Sequence, residues 1–215
     1  MDLPKDNRLA LRRVARACRK GALASLMAEG GAPYASLVTV AFDHDLSPIL
    51  LLSGLSDHTR NLKADGRASL LLDGTEGLAN PQAGPRVTLS GVAVPTADER
   101  LRRRFLACHP GAALYAGFGD FGFWKMHPEK AHFVGGFGRA VWFPAPFGLN
   151  RAAAFAAAEE EILTCFPEGA WKPVAVDPDG CHLARGETIR RLAFDPPADT
   201  PETALALLSK ISLDA

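Results

Sequence analysis

The sequence predicts a mixed α+β chain, mainly β, in which antiparallel strands form a barrel or meander and a small α/β unit follows. The apolar runs "ALASLM", "YASLVTVAF", "PILLLS", "ASLLLD" and "RVTLSGVAV" are short and strand-like, and the first three are separated by "AEGGAP" and "DHDLS", turn-rich pieces of the kind hairpins need. Helical periodicity is confined to a few segments between and after them. Residues 144–150, "PAPFGLN", place two prolines and a glycine together, the composition of a boundary between units.

Taken in order, Asp6 to about Lys20 reads as a helix, with Leu11, Val14 and Cys18 at helical spacing. Arg12, Arg13, Arg16 and Arg19 fall mostly elsewhere on the wheel and are expected in water; lacking interleaved aromatics, they offer nucleic acid nothing to stack on. After the five strands, "TADERLRRRFLACH" returns to helix, with Thr96 as its cap and Leu101, Phe105 and Cys108 as an i, i+4, i+7 stripe. "FGFWKM" and "AHFVGGF" read as two further strands, with "RAVWF" continuing or bulging from the second. Beyond the break, Asn150 can cap an alanine-rich helix to Phe166 whose core face is Phe155, Ile162 and Phe166. "PVAVD", the turn "PDG", "CHLA" and "TIRRLAFD" form the small unit, and Thr200 before Pro201 opens a last helix. The expected division is 1–145 and 146–215.

At 215 residues and 47% hydrophobic, the chain can bury a substantial core, and a soluble globular protein is expected. Lys+Arg and Asp+Glu are both 24, so no whole-molecule field draws it to nucleic acid or a membrane. The N-terminus lacks the apolar core of a secretory signal and no 18-residue apolar run occurs, which points to the cytoplasm. Cys18, Cys108, Cys165 and Cys181 form no CxxC or CxxCH; a zinc knuckle, a thioredoxin motif and covalent haem attachment are disfavoured, and free thiols are expected.

The stretch "LLLSGLSDHTRNLKAD", Leu50 to Asp65, turns from a buried strand into a polar helix start. If Ser56 caps a helix from Asp57, the first-turn amides lack partners within the helix and attract an anion, with His58, Thr59, Arg60 and Asn61 adding side-chain donors. A phosphate or carboxylate of a planar cofactor suits that arrangement. Equally, Ser56 and Asp57 can cap a surface helix, with Arg60 paired to a nearby acid and His58 packed on the barrel.

"SLVTVAFDHDLSPILLLSGLSDHTRNLKADGRASLLL", "PRVTLSGVAV", "RFLACHPGAALYAGFGDF" and "AHFVGGFGRAVW" together resemble the haem-utilisation branch of the pyridoxamine-phosphate-oxidase-like, FMN-binding split-barrel superfamily. The segment from Val174 to Leu208 is similar to the small α/β domain often fused behind that barrel. The resemblance implies a six-stranded antiparallel split β-barrel with flanking helices, a homodimer, and a ligand site at the subunit interface. It implies FMN or haem as the cofactor. In the flavin enzymes two adjacent basic residues of the strand-to-helix turn hold the phosphate; here those positions read Asp57 and His58, and an aspartate repels a dianion. For FMN the resemblance implies Ser53, Ser56, His58 and Arg60 around the phosphate, with Arg86 or Trp142 near the ring. For haem it implies Arg60 or Arg139 on a propionate and His132 or His182 approaching iron. The family pattern places an axial histidine late in the chain, whereas the tail "SKISLDA" contains none.

The other histidines have loop readings: His44 in a hairpin turn, His109 and His127 before prolines. "GGFGRA", Gly135 to Ala140, superficially matches a dinucleotide fingerprint, but "VWFPAP" cannot open the required helix. Its glycines instead permit a bulge or close ligand approach, with Arg139 and Trp142 presenting a cation and a flat ring. "HPE" at His127 to Glu129 lacks the PCxxC of a zinc deaminase, and consecutive Ser56, Asp57 and His58 cannot form a hydrolase relay. Three function classes remain: a haem-binding protein acting in haem utilisation and oxidative degradation, an FMN-dependent oxidoreductase, and a non-catalytic dimeric ligand-binding module.

Overall fold

The computed structural model describes residues 3–166 and 170–210. Helix α1 (Asn7–Ala17) leads into strands β1 (Lys20–Leu26), β2 (Pro33–Thr39), β3 (Ala41–Phe42) and β4 (Pro48–Ser53), helix α2 (Asp57–Ala64), and strands β5 (Arg67–Asp73) and β6 (Arg86–Pro95). Helix α3 (Glu99–Cys108) precedes the hairpin β7 (Phe121–Val134) and β8 (Ala140–Pro144). Then come α4 (Ala152–Thr164), β9 (Lys172–Asp177), β10 (Gly180–Arg185), β11 (Thr188–Ala193) and α5 (Pro201–Leu208).

The first eight strands make one antiparallel sheet, ordered β2-β1-β5-β6-β7-β4-β3, with β8 added on β7. Its two edges, β2 and β3, are parts of one segment interrupted only at Val40, so the sheet curls back on itself. Counting Pro33–Phe42 as one bent strand leaves six around the curl. The mainly β, α+β class expected from the sequence is what the chain adopts. Alternation along β6 and β7 sends Val87, Leu89, Ala131 and Phe133 inward, where they meet Leu11 and Val14 of α1 in the main core. Phe147 and Leu149, from the proline-rich break, are buried in that core too. The break therefore packs as part of the barrel.

Several local expectations change. "FGFWKM" and "AHFVGGF" are one strand, β7, carried through Pro128 by a bulge at Ser90/Gly91. Pro128 cannot donate to the ladder, and a side chain at Gly91 would lie 2.0 Å from the His127 carbonyl. Asp98, not Thr96, caps α3, accepting from the Arg100 amide at 2.8 Å. Helix α4 starts after Arg151 without a side-chain cap, whereas Thr200 does cap α5, accepting from Thr203 at 3.2 Å.

The largest departure lies in α1. Arg12 and Arg16, expected on a solvated face, are buried. Arg12 Nε donates to Asp179 at 3.0 Å and its Nη1 to the Phe147 carbonyl at 3.0 Å. Arg16 donates to Asp179 at 3.2 Å and to the His44 carbonyl at 2.7 Å, and pairs with Asp177 at 3.3 Å. Asp177 also takes a two-pronged contact from Arg191, at 2.7 Å on each oxygen. From the other side, Arg104 of α3 contacts Glu159 of α4 and donates to the Val176 carbonyl at 3.1 Å. Asp43 receives Arg100 at 2.7 Å and Lys125 at 2.9 Å. Burial alone would raise Asp177 and Asp43, but Arg16, Arg191 and Arg104 around Asp177, and the hydrogen bonds of His44, Arg100 and Lys125 to Asp43, hold both well below the ordinary carboxylate range. This network ties the barrel to the three-stranded sheet β11-β10-β9.

Removing one member of such a network strands the others in a dry site. Asp177→Asn is expected to lower unfolding free energy by about 3–5 kcal/mol in urea denaturation, and exposed Asp195→Asn by well under about 1 kcal/mol.

Candidate functional site

The sequence-predicted residues separate into four places. Ser53, Ser56, His58, Thr59, Arg60 and Asn61 all belong to the β4-to-α2 turn. Ser53 Oγ donates to Asp120 Oδ2 at 2.7 Å and accepts from the Leu55 amide at 3.2 Å. Ser56 occupies the cap position, but its hydroxyl turns back to the Ser53 carbonyl at 2.7 Å and caps nothing. No side chain therefore covers the first amides of α2. Thr59 and Asn61 are buried; Asn61 accepts from the Ala28 amide at 2.9 Å and donates to Ser25 at 3.1 Å, fastening α2 to β1. Arg60 is exposed and paired with Asp57. His58 Nδ1 lies 3.1 Å from Ser36 Oγ, and burial lowers its pKa against the smaller opposing pull of Asp57. Burial thus favours the neutral imidazole.

His132, Trp142 and Arg86 all lie on the outward face of the sheet. Direct cross-strand pairing runs Leu37–Ala22–Leu71–Thr88–His132–Trp142 over six strands, and paired residues share a face. The parallel row beside it is Ala35–Ala24–Ser69–Ser90–Lys130. Small side chains keep the surface low, and Leu37 at 75% and Trp142 at 54% exposure leave it apolar and open. His132 stacks on Trp142, 4.5 Å between centroids and 13° between planes. Lys130 sits 5.3 Å over the same indole. Arg86, two residues before Thr88, shares this face. A shallow hollow of about 550 Å³ lies beside the bulge, lined by Ser69, Ser90, Gly91 and Lys130 among others.

Two predicted residues are committed elsewhere. Arg139, expected as a ligand anchor, donates to Asn7 at 2.6 Å and to the Lys5 carbonyl at 3.2 Å, pinning the N-terminal segment. Gly136 and Gly138 serve the β7-β8 turn with φ of 112° and 75°. His182 lies on β10 and is buried, its Nδ1 3.3 Å from Arg191. Burial, reinforced by the Arg191 charge, takes its pKa well below 6.5. The structure brings His132 together with Trp142, leaves Arg86 on the same face, and puts His182 on the separate three-stranded sheet. Lys130, Asp120 and Ser36 were missed; Lys130 stands two positions before His132, the one signal that places it on the same face.

Of the remaining histidines, His44 lies in the β3-β4 turn and His109 in the loop after α3, as expected, whereas His127 is inside strand β7. His44 and His109 are nonetheless buried; His109 Nε2 is 2.9 Å from the Val40 carbonyl, and burial lowers its pKa despite that contact.

A curled antiparallel barrel of six strands with flanking helices and an open outward face defines a split-barrel protein. The chain belongs to the CREG, beta-barrel family, which it matches over residues 5–146. It is 38% identical over 111 residues to the chloroplastic non-canonical heme oxygenase HOZ of Arabidopsis thaliana, a match covering 49% of this chain and 33% of that protein. The chain therefore spans about a third of that relative's length. Among solved structures it is similar to Atu2129 of Agrobacterium tumefaciens, described as of unknown function, with 27% identity, 95% of each chain covered and a TM-score of 0.75. It also shares its fold with a heme binding protein from Mycobacterium smegmatis, at 24% identity, 98% coverage of each and a TM-score of 0.62. The split-barrel resemblance read from the sequence agrees with these matches. No helix among the described residues is long and apolar enough to cross a membrane.

The histidines give a pH signature. His58, His109 and His182 have folded pKa values below the unfolded 6.5, so the unfolded chain takes up protons first on acidification. Their contribution is complete above pH 6.5 and is lost as pH falls toward the folded values. The urea midpoint is expected to drop between pH 7 and pH 5, with a shallower slope in His182→Gln; an unchanged slope would show that burial of His182 adds no proton linkage.

Proposed function

We propose that this chain is a haem-binding protein of the haem-utilisation type, acting in oxidative haem degradation as a homodimer that holds its ligand between subunits. The observation that carries this reading is the stacked His132–Trp142 pair with Lys130 over it, set in a flat apolar ladder. Haem is a planar hydrophobic ring needing a nitrogen donor for iron and cations for its propionates. His132 supplies the first, and Lys130 and Arg86 the second. Bound haem would supply the redox chemistry with molecular oxygen and an external reductant. The chain's own part would be to orient the ring against Trp142, hold the carboxylates and exclude water. The name of the Arabidopsis relative, over the region it shares, supports the same reading.

The homodimer rests on the same face. Leu37, Leu71 and Trp142 are apolar and exposed on one surface, and a second copy is the partner that would cover them. His58 contacts Ser36, whose side chain points away from the face that bears Leu37. A ligand using both the turn and the ladder would therefore draw them from different subunits. His182 is the second candidate for iron, neutral through burial but enclosed, so its use requires rearrangement of the small sheet. A reducing compartment such as the cytoplasm suits the free Cys18, Cys108, Cys165 and Cys181.

The FMN reading keeps one specific support, the uncapped first turn of α2. Against it, a dianionic phosphate there would meet Asp57, a His58 whose burial disfavours protonation, and an Arg60 already paired. The non-catalytic module is the outcome if neither ligand binds.

Haemin titration followed by absorbance is expected to give a saturable Soret shift, lost in His132→Ala and retained in His182→Ala. Loss in His182→Ala alone would move the iron to the small sheet; a flavin signal without a haem signal would transfer the assignment to the oxidoreductase. Arg60→Ala is expected to leave haem affinity within about twofold, because its charge is already spent on Asp57 and exposed.

In sedimentation velocity the chain is expected to run as a dimer and Leu37→Glu/Leu71→Glu as a monomer. A wild-type monomer at micromolar concentration would refute the proposed interface.

A further inference from the structure

A second cavity, apart from the outward ladder, lies between α3, α4 and β9. It is a cleft of about 600 Å³, within the range of small-molecule sites. Ala107, Ala157, Leu163, Phe166 and Val174 give it apolar walls. At its inner end Arg104 and Glu159 satisfy one another, and Arg100 is held by Asp43. That leaves Arg103 on α3 and Lys172 on β9, both exposed, lining the same cleft from two different elements and without an ion pair among the described residues. Glu160 is the one acid on the rim that is exposed. The lining contains no histidine, cysteine, methionine or tyrosine, so a haem iron would find no side-chain ligand there.

Apolar walls under two uncommitted cations match a ligand with a hydrocarbon body and an anionic head. We propose that this cleft binds an amphipathic organic carboxylate, its chain against Ala107, Leu163, Phe166 and Val174 and its head between Arg103 and Lys172. The two cations come from the barrel and from the small sheet, so the bound carboxylate bridges the two units across the same gap as the Arg104–Glu159 pair.

The test is isothermal titration of the full chain with sodium decanoate, with decyltrimethylammonium as the matched cation. The expected result is saturable one-to-one decanoate binding that weakens at least tenfold in Arg103→Glu/Lys172→Glu and disappears in Ala157→Phe. All three positions are exposed, so the variants fold, and unchanged circular dichroism melting checks that they do. Absence of saturable decanoate binding overturns the proposal. So does equal affinity in wild type and both variants, or decyltrimethylammonium binding as tightly as decanoate. Haemin titration of the same variants is expected to match wild type, which keeps this site separate from the haem reading: its failure leaves that reading standing, and the reverse holds too.

Discussion

Two arginines of the first helix enclosed against two aspartates of a turn near the other end of the chain set the terms for the whole molecule. Arg12 and Arg16 have no solvent to retreat to, and Asp177 and Asp179 are fully buried. Buried charges of this kind are costly unless every partner is present. The answer is redundancy: Arg191 and Arg104 add to Asp177, while carbonyls of Phe147, Asp43 and His44 take the remaining guanidinium protons. The barrel's flank and the small sheet are consequently one electrostatic unit. A third apolar cluster confirms the join, since Ala175 of β9 packs with Ile49, Leu101 and Phe105.

Most of the strands were legible because period-two alternation and turn residues are local signals. "PILLLS" is β4 to the residue, and "PDG" sits at the β9-β10 turn. The errors fall where the deciding contact is distant. Pro128 looked like a strand break because its tolerance depends on Gly91, far away in sequence. Arg12 and Arg16 looked solvated because the helix wheel reveals a second face but not what lies on it. Thr96 was a plausible cap by type, but Asp98 stands in register with the first free amides.

The candidate site shows the same division. His132 and Trp142 could be named individually, each on a strand, but their stacking depends on the β7-β8 register, which a glycine-rich turn sets. Arg139 was misread for a related reason: a cation next to glycines resembles a ligand anchor until the N-terminal segment is seen to occupy it. On the α2 turn, residue type was again a poor guide to availability. Asn61 is spent on the fold, and Ser56 on the backbone it follows.

The order in which a ribosome releases this chain gives the α1 network a further meaning. The chain emerges N-terminus first, so the helix carrying Arg12 and Arg16 is complete long before Asp177 and Asp179 exist. Until then its arginines have only carbonyl partners, so the apolar face of α1 that packs on the barrel carries two guanidinium groups without their acids. Contacts across such a sequence separation are slow to form because a large loop must close first. The turn at the end of β9 thus acts as the latch for the first helix, closing the charge network on that flank only once Asp177 and Asp179 are in place.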